Sequence, residues 1–415
     1  MKSQNVGRRS AMLGVLGAAA AGSRPARAAD PIRIGFSSQQ TGGVAVTGKA
    51  ILLTCQIWAE EVNARGGLMD RPVEFVHYDD QSSPSQVPGI YTKLLDVDHV
   101  DLVMGAGTNL VAPAMPIVME HNKVMFAMFA LTVNDQFHYP RYIQTMPYGP
   151  QGKDAISRGF FEAAMTMDPK PQTVALVGAD AEFAKNAVAG ARAQAKRLGL
   201  KVVYDRTYPP NTVDYSPIVR AIGATSPDLI YLASYPPDST GMVRAVREAG
   251  LKPRMFGGGM VGTQYTTIKT QLGELLNGLV TYELYAPAAA SHFPGVADLL
   301  ARYQARAVGA GVDELGYYVP PFCFATLQIL EQSVNAVGLD QDKLAAYLHE
   351  ATFKAVVGDI RFGTDGEWST PQMLTVQFRG IQGHDKQQFT QAATEVILDP
   401  PGFKSGSLQY PFGGN

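Results

Sequence analysis

Residues 257–262 read GGGMVG, a literal G-x-G-x-x-G, and Glu283 follows about twenty residues later. In a dinucleotide-binding fold, glycines at this spacing let the backbone approach a pyrophosphate, and the later acid holds a ribose hydroxyl. That fingerprint needs a strong helix directly after the glycines. Here TQYTTIKTQLG follows, which is short and rich in β-branched residues. Asp79 and Asp80 close a β-rich run and have the chemistry of a metal or acid/base pair, although solvated turn carboxylates are far commoner. No G-x-S-x-G, Walker A or Ser/His/Asp spacing is present, and the seven histidines and two cysteines show no metal-ligand spacing. The sequence is read as a non-enzyme with no metal and no cofactor.

A second pattern runs through the whole chain. Apolar runs end repeatedly in small or hydroxyl residues, at 37–42, 105–110, 128–131, 179–183, 234–237 and 257–259. The carboxyl ends of parallel strands are where helix N-termini present free N–H groups to ligands. Six such loops from two facing units would enclose a cleft. Phe129, Phe183, Tyr235 and Tyr285 lie at or just beyond these ends. For any one of them packing at a sheet edge is the commoner explanation; together they describe a stacking surface.

The elements that must carry these loops are legible. IRIGFSS, VEFVHYDD, DLVMGAG and VMFAMFA alternate with helical stretches, the pattern of a parallel sheet covered on both faces. In the first helix Ile51, Cys55, Trp58 and Val62 form an apolar stripe that Gly66–Gly67 ends. A second series begins at TVALVGAD and runs to RMFGGG, so two α/β units lie in tandem. The 415-residue length fits two domains with appendages, and 46% apolar against 17% charged residues fits buried cores. A net charge of −2 without basic–aromatic runs excludes nucleic acid as a natural partner.

The first residues are not part of the fold. Arg8–Arg9, a short apolar stretch and ARA before Ala29 make residues 1–28 a secretory signal of twin-arginine type, an ordinary Sec signal being the alternative. No cysteine near the cleavage region offers a lipid anchor, and no later run is long enough to span a bilayer. The mature chain is expected to be soluble and periplasmic, without membrane insertion. Cys55 and Cys323 both fall in apolar helical patterns and are read as structural, unpaired thiols. The Pro/Gly-rich end, 401–415, reads as an extended or frayed tail.

IRIGFSSQQTGGVAVTGKAILLTCQIWAEEVNARGGLMDRPVEFVHYDDQSSP resembles the opening of the type I periplasmic binding proteins of the leucine/isoleucine/valine class. PAMPIVMEHNKVMFA, DAEFAKNAVAG, DLIYLASYPPDSTGMVRAVREAGLK and VVGDIRFGTDGEW continue the resemblance over essentially all of the mature chain. It implies an α/β fold of two Rossmann-like lobes joined by three crossover strands. The N-terminal lobe would hold residues 29–146 and 279–358, and the C-terminal lobe 147–278 and 359–400. It further implies a monomer that closes on a small-molecule ligand and delivers it to the membrane permease of an ABC importer.

Carried over by position, Thr108 and Asn109 match the loop that holds the ligand carboxylate in amino-acid binders. Phe129, Ala130 and Leu131 occupy the next strand end, without its hydroxyl. Phe183 replaces a tyrosine, Tyr235 keeps the aromatic of the second lobe, and Gln40 and Thr47 join from the first loop and helix. The acid that pairs with the ligand's ammonium falls within Gly257–Gly259, so Gly258 and Gly259 would leave open space and bare backbone there. A buried ammonium without a carboxylate costs several kcal/mol. The resemblance then implies a carboxylate-bearing ligand with an apolar or aromatic body, an acid such as Glu283 being the alternative partner for an amino acid. The competing readings are an exported NAD(P)-dependent oxidoreductase using the 257–262 loop, and a ligand-sensing subunit of the same fold.

Overall fold

Hydrophobic alternation and helix stops translate directly into layers. The computed structural model describes residues 30–413; the signal assigned to 1–28 lies outside them. The chain runs β1 (Ile32–Ser38), α1 (Ala45–Ala64), β2 (Val73–Asp79), α2 (Val87–Thr92), β3 (Leu102–Ala106), α3 (Thr108–Glu120), β4 (Met125–Met128), α4 (Asn134–Phe137) and β5 (Tyr142–Gln144). It continues through α5 (Gly152–Ala164), β6 (Thr173–Ala179), α6 (Glu182–Arg197), β7 (Lys201–Tyr208), α7 (Ser216–Gly223), β8 (Leu229–Ser234), α8 (Pro236–Glu248), β9 (Met255–Met260), α9 (Thr266–Leu272) and β10 (Val280–Glu283). Then follow α10 (Val296–Ala307), α11 (Pro320–Val337), α12 (Gln341–Glu350), β11 (Phe353–Ala355), β12 (Gly358–Ile360), β13 (Leu374–Phe378) and β14 (Glu395–Asp399).

Two sheets result. The first has the order β2-β1-β3-β4-β5 and is wholly parallel. The second has the order β14-β13-β10-β9-β8-β6-β7, parallel from β10 to β7, with β13 and β14 added antiparallel. The predicted stripe on α1 is buried throughout. Its end is set by backbone geometry: Gly66 and Gly67 take positive φ, and the Gly67 N–H returns to the Val62 carbonyl at 2.9 Å. A Cβ on Gly67 would stand 1.8 Å from the Arg71 carbonyl oxygen, so only glycine fits.

The lobe boundaries differ from those expected. Val280 and Thr281 pair in parallel with Gly257 and Gly258, so the chain stays in the second sheet through Glu283 instead of leaving at 279. The β11–β12 hairpin packs by its first strand against α11, so the first lobe keeps the chain to Ile360 and the last crossing comes before β13. α10 and α11 pack on α1, which rejoins the returning chain to the first lobe. The first and third crossings are hydrogen-bonded together, Gln144 N–H to Gly366 C=O at 2.8 Å and Gln372 N–H to Pro147 C=O at 2.9 Å. The tail is extended but docked: Phe412 is buried against Phe256, with the Arg247 guanidinium 3.9 Å from its ring centre. Among the described residues no helix is long and apolar enough to cross a membrane.

Candidate functional site

The strand ends of both sheets converge on a cavity of about 290 Å³ between the lobes. Its first-lobe wall begins in the loop after β1, which the neighbouring acids hold in place. Asp79 accepts the N–H groups of Gln40, Thr41 and Gln81 at 2.9–3.2 Å and the Thr41 hydroxyl at 2.7 Å. Asp80 is fully buried, accepts the Ser82 N–H at 2.8 Å and the Ser37 hydroxyl, and has its pKa raised by burial. Both carboxylates are thus committed to loop structure and not to acid/base work.

Next comes the β3–α3 turn. Gly107, at φ +89, turns the chain so that the first turn of α3 meets the cavity through Thr108, Asn109 and Leu110. Helix first-turn N–H groups lack intrahelical acceptors and attract negative charge. The Thr108 hydroxyl accepts the Leu131 N–H at 2.9 Å and donates to the Phe129 carbonyl at 3.3 Å. Its single proton is therefore used to clamp the β4 end, not directed at the cavity. That clamp holds Phe129 at φ +53, a left-handed conformation costly for an aromatic residue, with its ring 5.0 Å from that of Tyr318.

The second lobe contributes Phe183 from the first turn of α6, Tyr235 as the cap residue before α8, and Tyr265 before α9. Hydrogen bonds cross the cleft around the cavity. Asn109 Oδ1 accepts both the Phe183 N–H at 3.1 Å and the Tyr235 hydroxyl at 3.0 Å. Thr47 Oγ1 and the Tyr265 hydroxyl are 2.5 Å apart, and the Asn186 amide donates to the Leu131 carbonyl at 3.4 Å. The structure is a closed form.

Of the predicted site residues, Thr47, Thr108, Asn109, Phe129, Phe183 and Tyr235 line the cavity. Gln40 does not: its side chain turns to the Ser38 hydroxyl, and Gln39 faces inward, donating to the Ala106 carbonyl at 3.3 Å. Ala130 and Leu131 are fully buried behind the wall, the latter acting through its backbone. Gly258 and Gly259 lie inside β9, beneath the cavity. A Cβ at Gly257 would meet the Val280 carbonyl oxygen at 1.7 Å, and one at Gly258 the Tyr231 ring at 2.7 Å. The glycines exist for close strand packing, not for open space, and Val261 is the residue that reaches the cavity.

The dinucleotide reading fails on the same observation. No helix follows the glycines until Thr266, and Glu283 is buried 3.2 Å from the Lys269 ammonium, whose nearer partner Glu395 is at 2.5 Å. Tyr285 is likewise off the cavity wall, packed edge-on against Phe293 and tilted against Tyr317. Sequence reasoning missed Tyr148, Tyr318 and Asp238. The last had a signal, since an acid three residues into a helix completes a capping box. Its carboxylate accepts the Tyr235 N–H at 2.9 Å and the Tyr208 hydroxyl at 2.5 Å, and burial raises its pKa to about 6. Pro236 and Pro237 deprive the start of α8 of N–H donors, and the Phe183 N–H of α6 is already taken by Asn109, which leaves the first turn of α3 as the better anion-attracting terminus on the cavity.

Comparison with known proteins agrees with this geometry. The family model described as periplasmic binding protein matches residues 31–383. The leucine-, isoleucine-, valine-, threonine- and alanine-binding protein of Pseudomonas aeruginosa is 22% identical over 343 residues, covering 82% of this chain and 88% of the relative. A periplasmic binding protein of Burkholderia mallei superposes with a TM-score of 0.75 at 18% identity, covering 92% and 98% of the two chains. An ABC-transporter solute-binding protein from R. palustris, solved in complex with benzoate, gives a TM-score of 0.72 at 17% identity, covering 89% and 95%.

Proposed function

The chain belongs to the periplasmic binding protein family, and from that premise we propose that it captures a small organic carboxylate with an aromatic or apolar body for an ABC importer. One observation carries this reading: the character of the cavity wall. Among the described residues that line it there is no lysine or arginine, and the one carboxylate, Asp238, already has both oxygens hydrogen-bonded. Phe129, Tyr148, Phe183, Tyr235, Tyr265 and Tyr318 supply rings for an apolar body. The first turn of α3 supplies the donors for an anionic head. An α-amino acid would bring an ammonium group with no free carboxylate on the wall to meet it, since Val261 is apolar and both Asp238 oxygens are already hydrogen-bonded, and burying it unpaired costs several kcal/mol. The R. palustris neighbour, solved in complex with benzoate, supports this reading.

A second reading, an α-amino acid, is favoured by Asp238, which faces the cavity, and by the ligands named for the P. aeruginosa relative. Isothermal titration with benzoate, short aliphatic acids and leucine separates the two. The expected outcome is saturable binding of an acid and leucine affinity at least ~100-fold weaker, a gap of about 2.7 kcal/mol. Tight leucine binding with no response to the acids would overturn the carboxylate reading. Delivery is checked by uptake of the labelled ligand into cells lacking this protein, which should fall while other transport continues.

A further inference from the structure

Cys55 and Cys323 sit on α1 and α11, helices that pack together in the first lobe. Both side chains are fully buried, and both thiols are free in this structure. The Cys323 Sγ lies 3.9 Å from the carbonyl oxygen of Ile51. Ile51 precedes Cys55 by one helical turn, so that oxygen is the acceptor for the N–H of Cys55 itself. A helical side chain leans toward the N-terminus and covers the turn before its own Cα. The Cys55 thiol therefore lies over the turn that Cys323 approaches. Burial first, and then the Cys323 thiol beside it, raise the pKa of Cys55.

We propose that Cys55 and Cys323 are a disulfide-forming pair that staples α1 to α11 when the chain folds in contact with a disulfide oxidant. In the cell this rests on the export reading in its Sec form, in which the chain folds after crossing the membrane and meets such oxidants unfolded; twin-arginine export of a folded chain would bury both thiols first. With glutathione disulfide as oxidant, one cysteine thiolate attacks a glutathione sulfur and expels glutathione thiolate, leaving a mixed disulfide. The second cysteine thiolate attacks the protein-side sulfur of that bond, and the second glutathione leaves. Two protein thiols are oxidised, one glutathione disulfide is reduced to two thiols, and these take the two protons. Neither sulfur is exposed in the finished fold, and burial disfavours the thiolate, so the exchange belongs to folding, before α11 closes over α1.

The position gives the bond a purpose. The chain between the two cysteines contains the whole parallel part of the second sheet, from β6 to β10. A bond between them joins the two sequence pieces of the first lobe and closes a very long loop, the case in which a cross-link most restricts the unfolded chain.

The test is to refold the chain from denaturant in a reduced/oxidised glutathione buffer, then alkylate it in denaturant with N-ethylmaleimide and weigh it. The expected product is an unlabelled monomer about 2 Da lighter than the reduced chain, taking two labels only after dithiothreitol. It should melt roughly 5 °C above the reduced form. Cys55→Ser and Cys323→Ser should each take one label without reductant. Two labels on a chain whose circular dichroism shows it refolded, glutathione left on each cysteine, or a linked dimer would overturn the proposal. A pair that closes in vitro but is reduced in chain recovered from cells would leave the staple standing and overturn folding after export, the chain then having folded before it met an oxidant.

Discussion

At Asn109 a single oxygen accepts two hydrogen bonds, and both donors belong to the opposite lobe. Asn109→Ala removes the acceptor for the Phe183 N–H and for the Tyr235 hydroxyl together. Each bond is worth about 1 kcal/mol net, so ligand affinity should fall roughly 10- to 100-fold. These bonds exist only when the lobes meet, so the ligand-free melting temperature should move by no more than ~1 °C. Titration calorimetry with the parent ligand and scanning calorimetry without it check the two halves; a large drop in stability would make Asn109 structural. Thr108, Asn109, Phe129, Phe183 and Tyr235 were legible because strand ends of parallel sheets must face the cleft, and Thr47, on α1, only through the family resemblance. Tyr148 and Tyr318 were not: Tyr148 arrives from the first crossing and Tyr318 from the loop before α11, and no local pattern encodes either path. Gly258 and Gly259 were misplaced because the sequence does not say how far β9 continues. It runs to Met260, which moves the exposed position to Val261.

At the scale of elements, β10, β14 and α9 meet in a buried cluster that the sequence could not assemble. Lys269 lies 2.5 Å from Glu395 and 3.2 Å from Glu283, all three essentially without exposure. Glu283 is near the ammonium but not aligned to hydrogen-bond with it. Burial first, opposed by Lys269 and reinforced by the charge of Glu395, lifts its pKa to about 8. The folded value exceeds the unfolded value of about 4.3, so the native state binds this proton more tightly. The stability it contributes is complete below pH ~4.3 and lost as pH rises through about 8. Glu283→Gln fixes the neutral form and leaves the Lys269–Glu395 pair intact. Melting temperature should then be flatter than in the parent between pH 5 and 9, and higher by roughly 3 °C at the alkaline end. A parallel fall in both proteins would mean that Glu283 is ionised throughout. β1, β3, β4, β6 and β8 were readable as buried apolar runs, and the edge strands β2 and β7 as short β-branched and aromatic runs set between helical stretches. β5, β13 and β14 have three to five residues, too short to show a period, and β13 is placed by β10, far away in sequence.

Over the whole molecule, two lobes with separate sheets are tied by three crossings and meet across the cleft through few polar contacts. At the cavity rim these are, besides Asn109, Thr47 to Tyr265 and Leu131 to Asn186, and the loop before α11 adds Asp313 accepting the Thr266 N–H at 2.6 Å. Each crossing can absorb a rotation without disturbing either sheet, which is the construction of a hinge. A ligand shifts such an equilibrium only by its differential affinity for the closed form, and this one would touch both walls only when the lobes meet. Small-angle scattering should therefore show the radius of gyration, about 21 Å for a compact chain of this length, contract by roughly 1 Å on ligand addition. Thr47→Val combined with Asn109→Ala removes three cross-cleft hydrogen bonds while leaving each sheet intact. The free double variant should scatter as the more open form, and ligand at a concentration that saturates the parent should contract it only in part. Full contraction at that concentration would place the closing force in the ligand and the aromatic walls alone, with the polar contacts following closure instead of setting it.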